Sequence, residues 1–498
     1  MITPYEWQLE DQRVLADNNY NALLNIEPGG GKTVSGSLAI ANSSPEVTLI
    51  IAPQSTHTSA WAPTVEEISG QKPRVIGNSN KTQREAMTEF ELGFPGVYLI
   101  TPQLFTRSDV SLWAGDLLIV DEVHLLANPG SKGQRKLSGY DAMRDDPVSR
   151  RFEGKISLSG TPARNKFQNL WSVMRLHWPE LSKSEQIAYS NHYMWKFQRM
   201  TSAEITTGYE KGSRKTARKW LQEREPGRLF NEAPCVIQHF RRRHCCEYHP
   251  EGFLSLEEPQ EIRRVVELAP PQKRAIKEVE EYSITWLEDR PLVSKLPITT
   301  QQRIRQICLG VPTVEWVLDE EVDESGELVE TERMKVWFED DCKSPFLDEL
   351  FGILENLEEG EPVAVYMESQ LFARVTVKRL IEAGYSAFEY SGKVNKKDRN
   401  ENLARFGKKG GHQILVGVVS SIGTGTDGIQ KVCKTEVWLE TSVDPTTNEQ
   451  TQARTDRMGG RGKVQRFYIL DSFGYAEGRM SAQLEKRLKL RESTTRRI

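Results

Sequence analysis

The chain is poor in cysteine, has no long apolar run and carries little net charge. Its 498 residues include only six cysteines, too few for a disulfide framework, so we expect a reducing compartment and predict a cytoplasmic protein. No stretch approaches the roughly 20 apolar residues that cross a bilayer. The N-terminal residues also lack the basic start and apolar stretch of a secretory signal. These absences exclude a disulfide-rich secreted domain and predict no association with membranes.

The chain does contain enough apolar residues for large cores. They make up 38% of the sequence, and roughly 100–200 residues per domain predicts two to four domains. The formal charge of −4 would argue weakly against nucleic acid as a partner if it were spread evenly. However, residues 196–220 hold seven basic and two acidic residues, whereas residues 319–341 hold eleven acidic and two basic ones. The total charge therefore conceals one basic and one acidic segment.

Short apolar runs separated by polar stretches of helical length occur near both ends of the chain. The first group lies at 22–26, 47–52, 97–101 and 117–120, and the second at 362–366, 386–390, 413–418, 436–440 and 465–470. Strands spaced in this way imply crossover helices and parallel sheets. We therefore predict an α/β protein with one lobe at 1–180 and another at 344–498. Helical periodicity at 271–288 and 299–309 predicts a largely helical insertion at 181–343.

A glycine-rich loop follows the first predicted strand. Ile26 ends this strand, and Glu27-Pro28-Gly29-Gly30-Gly31-Lys32-Thr33 precedes an apolar helical pattern. Glycines let backbone N–H groups approach phosphate oxygens, a lysine reaches the terminal phosphates, and a threonine hydroxyl binds Mg²⁺. The match is partial, because the strict spacing has glycine where Ile26 stands. The alternative is a glycine-rich turn with an incidental lysine.

Two carboxylates follow the predicted strand at 117–120. Asp121 at the strand end is suited to hold Mg²⁺, and Glu122 to orient and deprotonate an attacking water. The alternative is a pair of solvated acids at a strand end. Together with the glycine-rich loop, this pair predicts hydrolysis of a nucleotide bound with Mg²⁺.

Further strings occur in a characteristic order along the chain. They are Tyr5-Glu6-Trp7-Gln8, Ile51-Ala52-Pro53, Leu99-Ile100-Thr101-Pro102, Leu158-Ser159-Gly160-Thr161-Pro162, Gly423-Thr424-Gly425-Thr426-Asp427, and Gln450 with Arg454, Arg457 and Gly459. In this order they resemble the superfamily 2 helicase motor. Two further strings narrow the resemblance to the Snf-type branch of double-stranded DNA translocases. They are Leu125-Leu126-Ala127-Asn128-Pro129 after the acidic pair and Leu170-Trp171 after the 158–162 string.

The resemblance implies two tandem RecA-like P-loop lobes and a role for each matching residue. Gln8 would bind adenine. Lys32 and Thr33, with the loop glycines, would bind the phosphates and the Mg²⁺ of ATP. Arg454 and Arg457 would contact the γ-phosphate as arginine fingers. The remaining members of the implied nucleotide site are Gly29, Gly30, Gly31, Gly425 and Asp427. Pro53, Gln54 and Thr101 would contact the DNA backbone. Two residues depart from the branch, because Asp427 replaces its usual Asn and Gly460 its usual Gln.

The resemblance implies a monomeric, ATP-driven translocase on double-stranded DNA with little sequence specificity. One alternative is a helicase that separates strands or reverses branched DNA. Another is an ATP-gated DNA-binding scaffold with vestigial hydrolysis. The compact size suggests a bacterial or viral source.

Two charged segments and one cysteine-histidine cluster have more than one interpretation. We predict that the basic residues Arg214, Lys215, Arg218 and Lys219 contact DNA; the alternative is a solvated helix. The acidic segment 319–341 is predicted to be an exposed hairpin that either keeps the protein soluble, masks the DNA groove or contacts a protein partner. A cluster containing Cys235, His239, His244, Cys245, Cys246 and His249 fits no standard zinc pattern. Trp61, Trp113 and Trp171 are predicted to be core residues rather than base-stacking platforms.

Overall fold

The computed structural model of the chain describes residues 2–141, 144–178, 192–210, 213–240, 256–287, 290–294, 297–322, 328–423 and 428–495. The chain divides into two compact units. The first contains Met1–Ser255 together with Leu484–Ile498, and the second contains Leu256–Gln483. The predicted boundaries at 180 and 343 fall inside these units.

The first unit is built around a parallel sheet of seven strands. Its strands are β1 (Asn21–Ile26), β2 (Val47–Ile51), β3 (Arg74–Val75), β4 (Gly96–Ile100), β5 (Gly115–Asp121), β6 (Phe152–Leu158) and, after two further strands outside this sheet, β9 (Val236–His239). The spatial order is β3-β4-β2-β5-β6-β1-β9. Strand β2 is buried along its whole length, as expected for a parallel sheet covered on both faces.

The second unit is built around a parallel sheet of six strands. They are β10 (Gln260–Val266), β15 (Val363–Met367), β16 (Ala387–Tyr390), β17 (Ile414–Val418), β18 (Thr435–Trp438) and β19 (Gln465–Asp471), in the order β10-β19-β18-β15-β17-β16. The two sheets confirm the prediction of an α/β fold with tandem lobes. Each predicted strand is present within one or two residues, because its apolar run is the segment that becomes buried.

Helices connect the strands in both units. In the first unit they are Glu6–Asp17, Lys32–Ser43, Gln54–Thr56, Ala62–Ser69, Lys81–Glu91, Pro102–Arg107, Lys132–Ser138, Asn169–His177, His192–Arg199 and Arg228–Glu232, with a π-helical turn at His57–Trp61. In the second unit they are Pro270–Tyr282, Pro297–Leu309, Pro345–Glu355, Gln370–Glu382, Lys396–Arg405, Val419–Ile422 and Pro445–Thr455. The last helix, Tyr475–Ser493, begins in the second unit and ends in the first. Short 3₁₀ turns lie at Val123–Leu126, Val148–Arg151 and Ile429–Lys431.

The predicted, largely helical insertion at 181–343 has to be corrected. Its described residues contain three antiparallel hairpins, formed by β7 (Met200–Glu210) with β8 (Ser213–Glu223), β11 (Ile284–Leu287) with β12 (Arg290–Val293), and β13 (Thr313–Val322) with β14 (Leu328–Trp337). The predicted helix at 271–288 ends early, because Ser283 adopts a left-handed conformation and the chain turns into β11. The acidic hairpin is confirmed as β13–β14, although its turn lies outside the described residues.

The large aromatic side chains form the core of the first unit. Trp61, Trp113 and Trp171 are completely buried, which confirms their prediction as core residues. Phe90 and Phe105 pack against Trp113 at ring-centroid distances of 5.4 and 5.8 Å. Among the described helices, none is long and apolar enough to span a membrane.

A buried histidine should make the first unit sensitive to acid. His177 lies between Asn21 Oδ1 at 2.9 Å and Ser157 Oγ at 2.7 Å, and burial lowers its pKa to about 3. A depressed pKa means that its contribution to stability is complete above pH 6.5 and is lost as the pH falls toward 3. We expect a loss of about 2 kcal/mol between pH 7 and pH 5.

The measurement is urea unfolding of the wild type and of His177→Gln at both pH values. The comparison between the two proteins is needed because burial raises the pKa of Glu223 to about 7. The contribution of Glu223 to the stability of the protein therefore changes in the opposite direction, because it is lost as the pH rises from about 4.5 toward 7. An equal pH dependence in both proteins would contradict the role of His177.

Candidate nucleotide site and nucleic-acid interface

The glycine-rich loop joins the carboxyl end of β1 to the helix Lys32–Ser43. Gly29 and Gly31 have positive φ angles of 85° and 72°, which glycine adopts without a steric penalty. A Cβ atom on Gly31 would lie 2.8 Å from Gln8 Nε2. The Nζ atom of Lys32 donates to the carbonyl oxygen of Ile26 at 3.2 Å. The loop thus presents a helix N-terminus and an ammonium group at one point, which is a suitable site for phosphate.

Gln8 braces this loop from the helix Glu6–Asp17. Its Nε2 atom donates to the Gly31 carbonyl oxygen at 3.1 Å and to Ser35 Oγ at 3.3 Å. Its Oε1 atom accepts from the backbone N–H of Tyr5 at 2.9 Å. The structure therefore places Gln8 against the phosphate loop. Adenine binding by this side chain stays a prediction.

The acidic pair lies at the carboxyl end of β5, near the middle of the sheet. Asp121 accepts a hydrogen bond from Trp61 Nε1 on Oδ2 at 2.9 Å. Burial, together with the neighbouring charge of Glu122, raises the pKa of Asp121 to about 6. Glu122 has a positive φ of 49°. Such a conformation is strained for a residue with a side chain, and strain of this kind is concentrated at functional sites.

A small hydrogen-bond network surrounds Glu122. His124 Nδ1 lies 3.2 Å from Glu122 Oε2 and 3.1 Å from Ser159 Oγ, and the Ser159 hydroxyl lies 3.5 Å from Glu122 Oε2. Ser159 also accepts from the backbone N–H of Thr161 at 3.1 Å. The acidic strand end is thereby linked to the segment that follows β6. His124 and Ser159 belong to sequence motifs, but the motifs did not predict that these two side chains contact Glu122.

The residues predicted to contact the DNA backbone follow two neighbouring strands. Strands β2 and β4 are paired through Ile51 and Ile100, so Pro53, Gln54 and Thr101 lie at the same sheet edge. Gln54 is exposed. Thr101 Oγ1 accepts from the backbone N–H of Leu104 at 3.1 Å and caps the helix Pro102–Arg107. The structure thus brings these three residues to one edge and gives Thr101 a capping role that the sequence did not suggest.

The residues predicted to sense phosphate from the second unit are only partly described. Gly425 and Asp427 lie outside the described residues. Arg454 sits near the end of the helix Pro445–Thr455, where its Nη2 atom donates to the Gly423 carbonyl oxygen at 2.5 Å. Arg457 follows in the next turn and is half-buried. Arg454 is therefore held at the residue that follows the helix Val419–Ile422.

The basic segment forms a strand pair and not the solvated helix considered as an alternative. Arg214, Lys215, Arg218 and Lys219 all belong to β8, which pairs with β7. The side chains of Arg218 and Lys219 are exposed, whereas those of Arg214 and Lys215 lie outside the described side chains. The predicted DNA contact of these four residues remains a prediction.

The structure offers no support for a zinc site in its described part. Among the described residues, no group of histidine, cysteine and acidic side chains is arranged to hold a metal. His239 Nε2 lies 2.9 Å from Asp11 Oδ2, and its ring packs 4.2 Å from that of Trp7. Cys235 is buried. His244, Cys245, Cys246 and His249 lie outside the described residues.

The C-terminal segment makes contacts beside the phosphate loop that no sequence motif signalled. Arg491 forms an ion pair with Glu27, the residue that opens the loop. The Thr494 carbonyl oxygen accepts from Asn25 Nδ2 at 3.1 Å, and also from Gln238 Nε2. The end of the helix Tyr475–Ser493 is thereby attached to the strand that leads into the loop.

Comparison with known proteins agrees with the motifs. No family model matches the chain. The human "Lymphoid-specific helicase" is 25% identical over 187 residues, which cover 35% of this chain and 21% of the relative. The Schizosaccharomyces pombe "SWI/SNF chromatin-remodeling complex subunit snf22" is 28% identical over 197 residues, covering 36% of this chain and 10% of the relative.

A third relative aligns with almost the whole chain. The Arabidopsis thaliana "Chromatin structure-remodeling complex protein SYD" is 22% identical over 491 residues, covering 92% of this chain and 12% of the relative. The chain therefore spans only about a tenth to a fifth of the length of these relatives. They nevertheless confirm that the chain is related to Snf-type motors of helicase superfamily 2.

Proposed function

We propose that the protein hydrolyses ATP and uses the energy to move along double-stranded DNA. The observation that supports this best is the meeting, at one sheet edge, of the phosphate loop, the Asp121–Trp61 contact and the network around Glu122. The relatedness to Snf-type motors points to DNA as the partner. The finer proposals are a monomer, a preference for duplex DNA with little sequence specificity, and a protein partner for the acidic segment 319–341.

The residues present fit ATP with Mg²⁺. The carboxylate of Asp121 and the hydroxyl of Thr33 are the oxygen donors that Mg²⁺ prefers. When bound, Mg²⁺ would neutralise charge on the β- and γ-phosphate oxygens. The loop N–H groups and Lys32 would hold the phosphates. Gln8 would position the adenine end of the nucleotide beside the loop.

Glu122 is suited to act as the general base. Its carboxylate would accept a proton from the water that attacks the γ-phosphate. His124 and Ser159 contact this carboxylate, so they would fix its orientation. Arg454 and Arg457 would stabilise the charge that develops in the transition state.

The preferred nucleic acid separates this proposal from its alternatives. The experiment measures ATP hydrolysis with duplex DNA, single-stranded DNA, forked DNA and RNA. We expect duplex DNA to stimulate hydrolysis. Strand separation on forks would favour the helicase alternative, hydrolysis too slow to measure under every condition would favour the scaffold, and stimulation by RNA alone would contradict a DNA motor.

Trp61 should position the metal-binding carboxylate. Trp61→Phe keeps a ring against Gly36, where the indole now packs, but removes the N–H donor to Asp121. Loss of a residue that orients a metal ligand typically costs ten- to a hundredfold in affinity, so we expect the Mg²⁺ concentration for half-maximal hydrolysis to rise about tenfold.

The matched control is Trp113→Phe, because Trp113 is equally buried and its indole lies 3.4 Å from Glu91 instead. Binding of Mn²⁺, followed by its electron paramagnetic resonance signal, provides a readout independent of turnover. An equal change in both variants would indicate a general packing effect and would contradict the positioning role.

A further inference from the structure

We propose that the β7–β8 hairpin, Met200–Glu223, is a DNA-binding ribbon that lies in the major groove of the duplex. This inference rests on the proposed function and specifies where the motor holds its track. We call this hairpin the basic ribbon. Three independent features support the proposal: the shape of its backbone, its charge, and the way its base is anchored.

The backbone of the basic ribbon has the size of one turn of duplex. Its two antiparallel strands contain eleven residues each, which at about 3.3 Å per residue gives a length of about 36 Å. One helical turn of B-DNA rises about 34–36 Å, and its major groove admits a two-stranded ribbon. The length and width of the basic ribbon therefore match this groove.

The basic ribbon forms a sheet of its own. Within the described residues, its two strands pair only with each other, and neither joins the seven-stranded sheet. An isolated two-stranded hairpin is only marginally stable in water. A hairpin of this length is therefore expected to gain contacts from a partner that covers it.

The charge of the basic ribbon selects a polyanion as that partner. The half next to the base has Glu204 opposite Arg218 and Ala203 opposite Lys219, whereas Arg214 and Lys215 lie nearer the turn. Within Met200–Glu223 there are five basic residues and three acidic ones, Glu204, Glu210 and Glu223, and the carboxylate of Glu223 accepts backbone hydrogen bonds at the base. Basic residues that neutralise DNA phosphates release counterions, which drives binding. The β13–β14 hairpin has nearly the same length and the opposite charge, so hairpin shape alone does not dictate a basic surface.

Aromatic rings hold two of the cations at the base of the basic ribbon. Lys196 Nζ lies 5.4 Å from the centre of the Trp220 ring, and Arg218 Cζ lies 4.7 Å from that of Phe197. The Phe197 and Trp220 rings meet edge to face at 4.9 Å, and Tyr193 is 56% exposed beside them. Such contacts restrict the cations before binding, so less conformational entropy is lost when a phosphate is bound.

Buried polar contacts fix this base to the first unit. Glu223, the last residue of β8, accepts from the backbone N–H groups of Gly227 at 2.8 Å and Leu229 at 3.0 Å. Arg199 pairs with Glu232 at 2.8 Å. The ribbon is therefore anchored at its base, so that a force on the ribbon would be transmitted to the unit that carries the phosphate loop.

The first test measures how duplex affinity depends on salt. In the full chain, Arg214, Lys215, Arg218 and Lys219 are all changed to Gln. If all four contact phosphates, the slope of log affinity against log salt for a 30-base-pair duplex should fall by about 3 to 4, because each contact contributes about 0.9. The matched control changes four exposed basic residues of the same unit to Gln, namely Arg13, Lys72, Lys81 and Arg84. Its slope should differ from that of the wild type by no more than about 0.9, the contribution of one phosphate contact.

The second test identifies the groove. Duplexes carrying glucosylated 5-hydroxymethylcytosine, which fills the major groove, should bind the wild type at least tenfold more weakly, whereas netropsin in the minor groove should have little effect. The four-Gln variant should no longer distinguish modified from unmodified duplex. Equal binding of both duplexes by the wild type, or competition by netropsin alone, would overturn the proposal.

These results distinguish failure of the ribbon from failure of the motor. If no DNA stimulates ATP hydrolysis in the wild type, the proposed function fails. If duplex stimulates hydrolysis but the four-Gln variant keeps the wild-type slope, the ribbon inference alone fails, and an acidic protein becomes the better partner. A second variant exchanges Lys and Arg at the four positions (R214K, K215R, R218K and K219R) and so keeps the charge. It should retain the wild-type slope if the positive charge of these residues is responsible for the slope. An unchanged thermal melting temperature of each variant confirms that it folds.

Discussion

Glu122→Gln should lower kcat for ATP hydrolysis by about 10²–10⁴-fold, the range typical of a lost general base. ATP affinity should change little. The amide has nearly the size of the carboxylate, so it fits the same strained backbone position, with φ of 49°, and remains within reach of His124 and Ser159. An amide cannot accept the proton of the attacking water. The expected result is an enzyme that binds ATP and is arrested before hydrolysis.

Two measurements separate binding from chemistry in this variant. Steady-state hydrolysis gives kcat, and the fluorescence of a labelled ATP analogue gives the affinity. Glu85→Gln is the matched control, because Glu85 is an exposed acid of the same unit, 3.5 Å from Lys81, and should leave both values unchanged. Lys32→Ala should instead weaken nucleotide binding. Wild-type turnover in Glu122→Gln would show that another group takes the proton.

The strands and the nucleotide motifs could be predicted from the sequence because their signals are local. The apolar run at 47–52 becomes β2, which is buried throughout. The acidic pair follows the apolar run at 117–120, which becomes the central strand β5. In both cases, neighbouring residues carry the whole signal. Burial of Trp61, Trp113 and Trp171 followed in the same way from their size and apolar character.

The contacts that complete the site are not local. His124 and Ser159 are 35 residues apart, Trp61 and Asp121 are 60 apart, and Arg491 and Glu27 are 464 apart. Their meeting depends on the order of strands in the sheet and on the course of the last helix. No periodicity or spacing in one sequence specifies such a pair.

The basic ribbon shows why the insertion was predicted incorrectly as helical. Basic residues occur in solvated helices as readily as in strands, so charge did not distinguish the two. The strand β7 contains the β-branched residues Thr201, Ile205, Thr206 and Thr207, which favour strands. Pairing with β8 then determines the structure, and such pairing becomes visible only when both strands are considered together.

Arg457→Ala should lower kcat by about 10³–10⁵-fold, the range found for arginine fingers in phosphoryl transfer, with a smaller effect on the KM for ATP. The guanidinium would stabilise charge that is larger in the transition state than in bound ATP, so its loss affects turnover more than binding. Arg457→Lys should recover only part of the rate, because an ammonium lacks the planar pair of donors that matches a phosphate.

Arg454 and Arg461 provide the comparison that makes this prediction specific. Arg454→Ala removes both a proposed phosphate contact and the hydrogen bond to the Gly423 carbonyl oxygen, so it should lower the melting temperature as well as kcat. Arg461 lies four residues beyond Arg457 and donates to the Val432 carbonyl oxygen at 3.0 Å, and Arg461→Ala should leave kcat near wild type. Equal losses of kcat in Arg457→Ala and Arg461→Ala would indicate a disturbed turn. A loss of kcat confined to Arg457→Ala and Arg454→Ala would identify these two arginines as the groups that act on the phosphate. A lower melting temperature of Arg454→Ala would show that Arg454 also holds its own segment in place.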